Sequence, residues 1–513
     1  MRRVRQKFVS AERRRALRLR ILLGAFFLIT ALWSLLFLPN LRSAPPWYGD
    51  EILSLTVGKD LFHGQLASRA TYCTFFSPTY NYQPAYAWLV GLFSWVTGGD
   101  ILGGRFFSAC IGFATAVLGF WFWHRKFGIS VGLAFIFLLF GYSQAVVHYR
   151  WIYPHNVVGL SLLASTCILM RPWCLRNDWK AGGYLALGAG SHLLAANATM
   201  VSVLCRLKHP KSWIAIALPP FLVFALTFGI LSWIFPGWVQ QDLTDLLRQH
   251  ARYDQENGKG LRVFVNFWNF MTQDGFHWAS VIGCLLCLRR RSYFIAFATL
   301  AMVFLLTRNR QNIPLFYYQA MMVFPLLVSA ISVGFSSALN RVFHLAAWSR
   351  SRRRVLRWLL PLFALVFMVG RVPESIEGLF QVRITPWVVR SSADYETASR
   401  WLNQNTLSGD LVITYWNLGW LLKARTADVL CAAAWSGYPA GDYFPYPPDH
   451  QRFRYPADIH RAKFFAVTEL DEQWAFAQGQ VIQFLKDSRL DLWPLVYQCG
   501  AVKVLANPNW RQE

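Results

Sequence analysis

Acidic residues are scarce in this chain. Its 513 residues include 26 Asp and Glu against 51 Lys and Arg, and charged residues of both signs make up only 15%. Eleven of the acids fall within the first 371 residues, which is thin cover for a water-soluble surface of that length. Phosphate-cradling loops are also missing. There is no P-loop and no strand-linked GxGxxG, because the glycines of GGDILGG (98–104) mark a turn between helices, so no nucleotide cradle is evident. The nine cysteines lack metal-ligand spacing. Cys284 and Cys287 form a CxxC, but on an apolar helix end, where residues i and i+3 are neighbours on one face. Cys431 and Cys499 are the only tail pair, and a disulfide between them is open but not required.

What is abundant is apolar sequence. Hydrophobic residues make up 55% of the chain, and runs long enough to cross a bilayer recur for most of its length. The hydropathy criterion gives candidate spans at 21–38, 102–123, 128–147, 157–171, 180–190, 193–205, 212–235, 278–288, 292–307, 315–335 and 356–371, about eleven crossings. The expected fold class is therefore a polytopic α-helical membrane protein. No small-residue cleavage site comes after the first run, so it reads as a retained span.

The net charge of +25 is not spread evenly. The stretch MRRVRQKFVSAERRRALRLR holds nine basic residues, and basic clusters recur at HRK (124–126), RPWCLRNDWK (171–180), RLKHPK (206–211), RRR (289–291) and SRSRRR (349–354). These occupy every second loop, the positive-inside pattern, and this distribution argues against nucleic acid as the partner. Residues 1–20 are then a cytoplasmic N-terminus and 21–371 the membrane domain. An odd number of crossings places 372–513 outside, where fifteen acids nearly balance thirteen bases. That tail reads as α/β, with a helix at YETASRWLNQNT, strands at GDLVITYW, AKFFAVTEL and AVKVLAN, and one helix at EQWAFAQGQVIQFLKDS.

Two outer loops stand out. The large one covers 236–277. The first, 39–101, opens with GDE and contains YQPAYAWLVGLFSWVTGG (82–99), a Trp- and Tyr-rich run too short to span comfortably that suits a helix at the interface. Asp50 and Glu51 are adjacent carboxylates just beyond the first span. Asp before ILSLTV would cap a helix, and a carboxylate held there could equally act as a general base.

The first outer loop and the helical segments C-terminal to it resemble the GT-C superfamily of membrane glycosyltransferases, in the branch of the protein O-mannosyltransferases and aminoarabinose transferases. The resemblance rests on GDE (49–51), the helix at 82–99, GGRFFSACIGFATAVLGFWF (103–122), HRKFG (124–128), the hairpin around SHLLAANA, and LFYYQAMMVFP before a late span. It implies a GT-C-like catalytic domain with a C-terminal extracytoplasmic α/β domain. The implied reaction is inverting transfer of a sugar from a polyprenyl-phosphate donor to an acceptor hydroxyl, with Asp50 as base and Glu51 beside it. The acceptor would be a protein, a glycolipid or a polysaccharide, and the setting the bacterial plasma (inner) membrane. Positive charge must meet the departing lipid phosphate. The outer-side arginines are Arg69, Arg105, Arg150, Arg308 and Arg310, of which Arg105, Arg150, Arg308 and Arg310 are taken as the phosphate contacts. His63, Tyr82, Gln83, His155, His192 and Tyr317 are expected to line the substrate pocket.

This chain departs from the family in several places. Gln83 precedes Pro84 where relatives often carry Lys, His155 and Asn156 stand where many have an acid, and Ser191-His192 replaces a Thr-Lys pair. The cofactor is unknown. If a divalent cation such as magnesium or manganese is used, Asp50 and Glu51 are its expected ligands. A transporter is a competing reading, although charges lie in the loops rather than within the spans. A non-catalytic envelope-assembly protein that retains the fold is another.

Overall fold

The structure, a computed structural model, describes residues 2–64, 75, 84–244, 261–288, 292–307, 317–345, 355–380, 388–440, 446–476 and 479–510. The first part is helical throughout. In order come α1 (Arg2–Phe37), α2 (Gly49–Phe62), α3 (Pro84–Val96), α4 (Ile101–Phe127), α5 (Ile129–Gly141), α6 (Ser143–Arg150), α7 (His155–Leu169), α8 (Leu175–Ala189), α9 (Ala195–Leu204) and α10 (Pro210–Ile234). Further helices cover Leu261–Met271, Gly275–Cys287, Tyr293–Thr307, Tyr317–Ala320, Phe324–Leu345 and Leu359–Phe380.

Among the described residues, five helices are long and apolar enough to cross a membrane: α1 from Leu19, α4, α10, Phe324–Val342 and Leu359–Glu377. The bent pair α5–α6 raises this to six if it forms one span, and five further apolar helices are shorter. Most expected spans coincide with helices, but length alone does not make each one a crossing.

Local chemistry sets the helix ends. Asp100 caps α4 by accepting from the Leu102 N–H at 2.9 Å, and His124, Arg125 and Lys126 fill its last turn, where the dipole favours cations. Gly128, at φ 103°, then turns the chain into α5. Nearly every residue of α5 is buried, as expected for a helix that is apolar all round and sits at the centre of a bundle.

One expectation needs correcting here. The span read at 128–147 breaks at Tyr142, where α5 and α6 meet at 71°. Tyr142 is extended, at φ −92° and ψ 113°. Its ring stacks on Phe276 at 4.5 Å and Phe324 at 5.1 Å, and its hydroxyl donates to Asp274 at 3.0 Å. Those partners lie far away in sequence, so the run of hydropathy cannot reveal the bend.

The 82–99 segment is a helix, α3, and it packs on α2 through two glycines. A Cβ on Gly91 would lie 2.0 Å from the Gly58 carbonyl oxygen, and one on Gly58 would lie 2.7 Å from that of Ala87. Gly91→Ala is therefore expected to force α3 off α2 and to cost about 1–3 kcal/mol, read as a lowered thermal midpoint in detergent.

The tail folds around a five-stranded sheet of order β2-β1-β3-β5-β4. Its strands are β1 (Leu411–Thr414), β2 (Arg425–Ala427), β3 (Ala462–Val467), β4 (Leu495–Cys499) and β5 (Val502–Ala506). β2, β1 and β3 run parallel, and β5 is antiparallel to β3 and β4. Central β1 is buried at all four positions, as a parallel strand covered on both faces should be.

Two strands lay hidden in the sequence. β2 has only three residues, and β4 is a largely exposed edge just after Pro494. The helix expected over EQWAFAQGQVIQFLKDS is instead a π-helical turn, Asp471–Ala475, succeeded by a helix over Gly479–Asp487. Cys431 and Cys499 are not bonded to each other.

The tail docks on the bundle at two places. Tyr48 bridges Val388, and the Val389 N–H donates to the Trp47 carbonyl at 3.0 Å. Farther out, buried Arg452 pairs with Asp242 at 2.6 Å, and its guanidinium lies 4.3 Å from the Phe75 ring and 5.5 Å from that of Trp238. One side chain thus joins the tail to the segment before α3 and to the segment after α10.

Candidate active site

The loop from Leu41 to Tyr48 is held on every side, and this fixes where α2 begins. Arg105, from the second turn of α4, turns inward. It donates through Nε and Nη2 to the two oxygens of Glu51, each at 2.7 Å. Its Nη1 reaches the carbonyls of Leu41 at 3.0 Å, Arg42 at 3.2 Å and Pro45 at 2.8 Å, and Nη2 also reaches that of Pro46 at 3.4 Å. Both side chains of this ion pair are 0% exposed. Glu51 also accepts the Ile152 N–H at 3.1 Å and the Tyr48 N–H at 3.4 Å. The Tyr48 contact closes a capping interaction at the start of α2.

Arg150 performs a similar task from the end of α6. Buried, it donates to the carbonyls of Ala44 and Leu36, each at 2.9 Å, and to that of Pro39. The Trp151 indole adds a bond to Pro46 at 2.9 Å. Arg42 in the same loop donates to Asp100 at 2.8 Å and pairs with Glu396 of the tail.

Two expectations change as a result. Arg105 and Arg150 are not arranged as donor-phosphate contacts, because their guanidinium groups are buried and directed at Glu51 and at main-chain oxygens. Glu51 is held as the buried partner of Arg105, unlike its exposed neighbour Asp50. With both of its oxygens accepting from Arg105, it does not fit a divalent cation shared with Asp50. Among the described residues no group of three or more His, Cys, Asp or Glu is arranged to hold a metal.

Asp50 differs from its neighbour. It is exposed, sits in the first turn of α2 where the helix dipole favours a negative charge, and accepts from the Tyr48 hydroxyl at 3.3 Å. Gly49 leaves room for the tail to approach, since a Cβ there would lie 3.0 Å from the indole nitrogen of Trp416. The Trp416 ring stacks on Tyr415 at 3.9 Å. Burial pushes the Tyr415 phenol well up, and the charges of Asp50, Asp471 and Asp428 add to the shift, so it stays protonated.

An aromatic path leads from Asp50 to two of the expected pocket residues. Tyr48 packs on Tyr153 at 5.4 Å, Tyr153 on His155 at 6.1 Å, and His155 on His192 at 4.3 Å. The structure thus pairs His155 with His192 and links that pair to Tyr48, the partner of Asp50, through Tyr153. It separates His63, which is exposed at the far end of α2 with its Nδ1 2.7 Å from the Lys59 carbonyl. A helix of 14 residues puts it about 20 Å from Asp50. Tyr317 opens the short helix Tyr317–Ala320. Arg69, Tyr82, Gln83, Arg308 and Arg310 lie outside the described residues.

Sequence reasoning missed Tyr48, Tyr153, Tyr415, Trp416 and Asp471. Only Tyr48 carried a local signal, as a neighbour of the acidic pair. Asp471 is buried in the tail. Burial pushes its carboxyl up to about 7, hydrogen bonds from the Thr468 N–H and hydroxyl oppose the rise, and the charges of Asp428 and Glu469 add to it. A carboxyl raised on folding contributes stability that is present below its unfolded pKa and lost as the pH rises through the folded value. The thermal midpoint should therefore fall less between about pH 4 and pH 8 in Asp471→Asn than in the wild type.

No family model and no curated protein sequence matches the chain. Solved structures do. ArnT from Cupriavidus metallidurans superposes with a TM-score of 0.62 at 12% identity, covering 95% of this chain and 98% of that one. The same protein bound to undecaprenyl phosphate gives 0.61 at 12%, covering 96% and 99%. The archaeal oligosaccharyltransferase AglB from Archaeoglobus fulgidus, in complex with an inhibitory peptide and a dolichol-phosphate, gives 0.54 at 12%, covering 88% and 70%. The mycobacterial arabinofuranosyltransferase AftD gives 0.51 at 14%, covering 95% of this chain but 40% of its own length. All three are GT-C glycosyltransferases, so this chain has the fold of the GT-C membrane glycosyltransferases.

Proposed function

We propose that the chain is a glycosyltransferase acting on the non-cytoplasmic side of the membrane, moving a sugar from a polyprenyl-phosphate donor to an acceptor hydroxyl with inversion. The observation that carries this reading is the contrast at the start of α2. One carboxylate, Glu51, is buried and neutralised by Arg105, and this fixes the neighbouring Asp50 in an exposed position. The fold adds support, since two of its solved relatives were captured with polyprenyl phosphates.

In the proposed step Asp50 accepts the acceptor's hydroxyl proton as that oxygen attacks the anomeric carbon. The bond from that carbon to the phosphate oxygen breaks, and the electron pair leaves with the lipid phosphate. Such a leaving group is a weak base and needs stabilising charge more than a proton. With Arg105 and Arg150 turned inward, Arg308 and Arg310 are the arginines proposed for that task. His155 and His192, which pack on each other at 4.3 Å, are proposed as part of the substrate pocket.

The test is to reconstitute the purified protein with radiolabelled polyprenyl-phosphate sugars and a panel of protein, glycolipid and polysaccharide acceptors. Label that leaves the donor and arrives on an acceptor supports the reading. Uptake of solute into sealed vesicles, with no transfer to any acceptor, would replace it with a carrier.

A further inference from the structure

The end of the bundle away from the tail carries charge of one sign. α4 connects the two ends: Asp100 at its start holds Arg42, the partner of Glu396 in the tail, and Lys126 in its last turn donates to the Met170 carbonyl at 2.8 Å. Its 27 residues span about 40 Å. Between Asp100 and Asp242 the chain holds a single acid, Asp178, and the fold takes it out of play. Asp178 is 0% exposed, with Arg206 donating to its Oδ1 at 3.1 Å and Ser212 to its Oδ2 at 2.6 Å. The Ser212 hydroxyl in turn accepts from the Trp173 indole at 3.0 Å, and the Trp173 ring stacks on His209 at 4.5 Å. The turn before α8 is thereby fastened to the turn before α10. Arg176, Lys180, Lys208 and Lys211 are left exposed around them, with the one carboxylate of this stretch already paired.

α8 and α10 leave these turns side by side. A Cβ on Gly182 of α8 would lie 2.4 Å from the Ala215 carbonyl oxygen and 3.0 Å from that of Ile216, so the two helices run parallel and in register from the same end. The exposed row of α8 begins with Arg176, Trp179 and Lys180 and goes on to Tyr184 and Leu187. That of α10 begins with Lys211 and goes on to Ile214, Leu218 and Phe221. Leu187 lies about 10 Å along the helix from Lys180. Each row therefore changes from basic to apolar along one face, in the order in which a phospholipid places its head group and its chains. α10 is long and apolar enough to cross a membrane, so its exposed row meets lipid.

We propose that the α8–α10 pair holds an anionic phospholipid, its phosphate among Arg176, Lys180 and Lys211 and its chains along the two apolar rows. The inference stands apart from the proposed glycosyl transfer. Loop charge that only orients a chain in the membrane has no need to share a helix face with the lipid-facing rows, nor to have its one acid buried. Bases near the membrane surface attract anionic head groups, whereas a zwitterionic lipid brings an ammonium group that the same bases repel. The exposed indoles of Trp173, Trp179 and Trp213 stand among the bases, as suits the boundary between head groups and hydrocarbon. A soluble acidic protein fits less well, because the turns at 170–174 and 205–209 are only five residues each and project little surface for it.

Native mass spectrometry of the full chain in detergent tests this, with dioleoyl phosphatidylglycerol and dioleoyl phosphatidylcholine as the probes. The wild type should hold the phosphatidylglycerol tighter by roughly tenfold or more. The triple variant Arg176→Gln, Lys180→Gln, Lys211→Gln should lose that preference. Its three positions are exposed, so its thermal midpoint without added lipid should match the wild type. Removing three bases elsewhere, with Arg2→Gln, Arg3→Gln and Arg5→Gln, should leave the preference in place. Equal retention of the two lipids by the wild type would overturn the site, and so would an equal loss in both triple variants, which would mark diffuse positive charge only. Displacement of the phosphatidylglycerol by a poly-glutamate peptide at equal charge would overturn it in favour of an acidic protein partner.

Discussion

Arg105→Met is expected to unfold the end of the bundle around the start of α2 rather than to weaken donor binding. The substitution leaves Glu51 as an uncompensated carboxylate that is 0% exposed. Breaking a buried pair from one side costs about 3–5 kcal/mol, a large share of the stability of an ordinary fold. The carbonyls of Leu41, Arg42, Pro45 and Pro46 lose their donor at the same time, so the loop that sets the start of α2 loosens with it. Pairing Arg105→Met with Glu51→Leu should recover part of the loss, because the unbalanced charge is gone, but the carbonyls remain unserved. Thermal unfolding in detergent reads both effects. A well-folded single variant whose only defect is a raised donor KM would return Arg105 to the phosphate role implied by the family resemblance.

Asp50→Asn is expected to do the opposite, leaving the fold intact and stopping the chemistry. Asparagine keeps the size of the side chain and can still accept from Tyr48, and an exposed position carries little packing energy. Loss of a general base typically lowers the rate by about 10²–10⁴-fold. The loss should appear in kcat, with donor KM little changed, because the proton moves only as the new bond forms. Initial transfer rates beside thermal midpoints for wild type and variant measure this split.

These two variants show what the sequence could and could not reveal. Asp50 could be singled out as a candidate because acids are rare before residue 371 and this one lies just beyond a span. The different fates of Asp50 and Glu51 were not legible. Arg105 lies 54 residues from Glu51, and an arginine near an outer loop fits a phosphate contact and a buried clamp equally well on residue type. Arg150 misled in the same way, since its acceptors are main-chain oxygens that any sequence could supply.

The helices were readable from hydropathy because the bilayer imposes their apolar length. The bend at Tyr142 was not, because it depends on Phe276, Phe324 and Asp274. In the tail, β1, β3 and β5 showed as apolar runs. β2 and β4 did not, since a three-residue strand and an exposed edge carry too little pattern. That the sheet's carboxyl edge meets Asp50 is evident only from the docking of Trp416 on Gly49.

Catalysis as proposed depends on the carboxylate of residue 50 taking a proton, and chemical rescue tests that most directly. Asp50→Gly removes the carboxylate and opens space where formate can stand in for it. With a donor and acceptor that the wild type uses, the folded variant should be nearly inactive alone and should regain transfer in proportion to added formate. A folded Asp50→Gly protein that transfers sugar at the wild-type rate without formate, or stays inactive at every formate concentration, would contradict that role for Asp50.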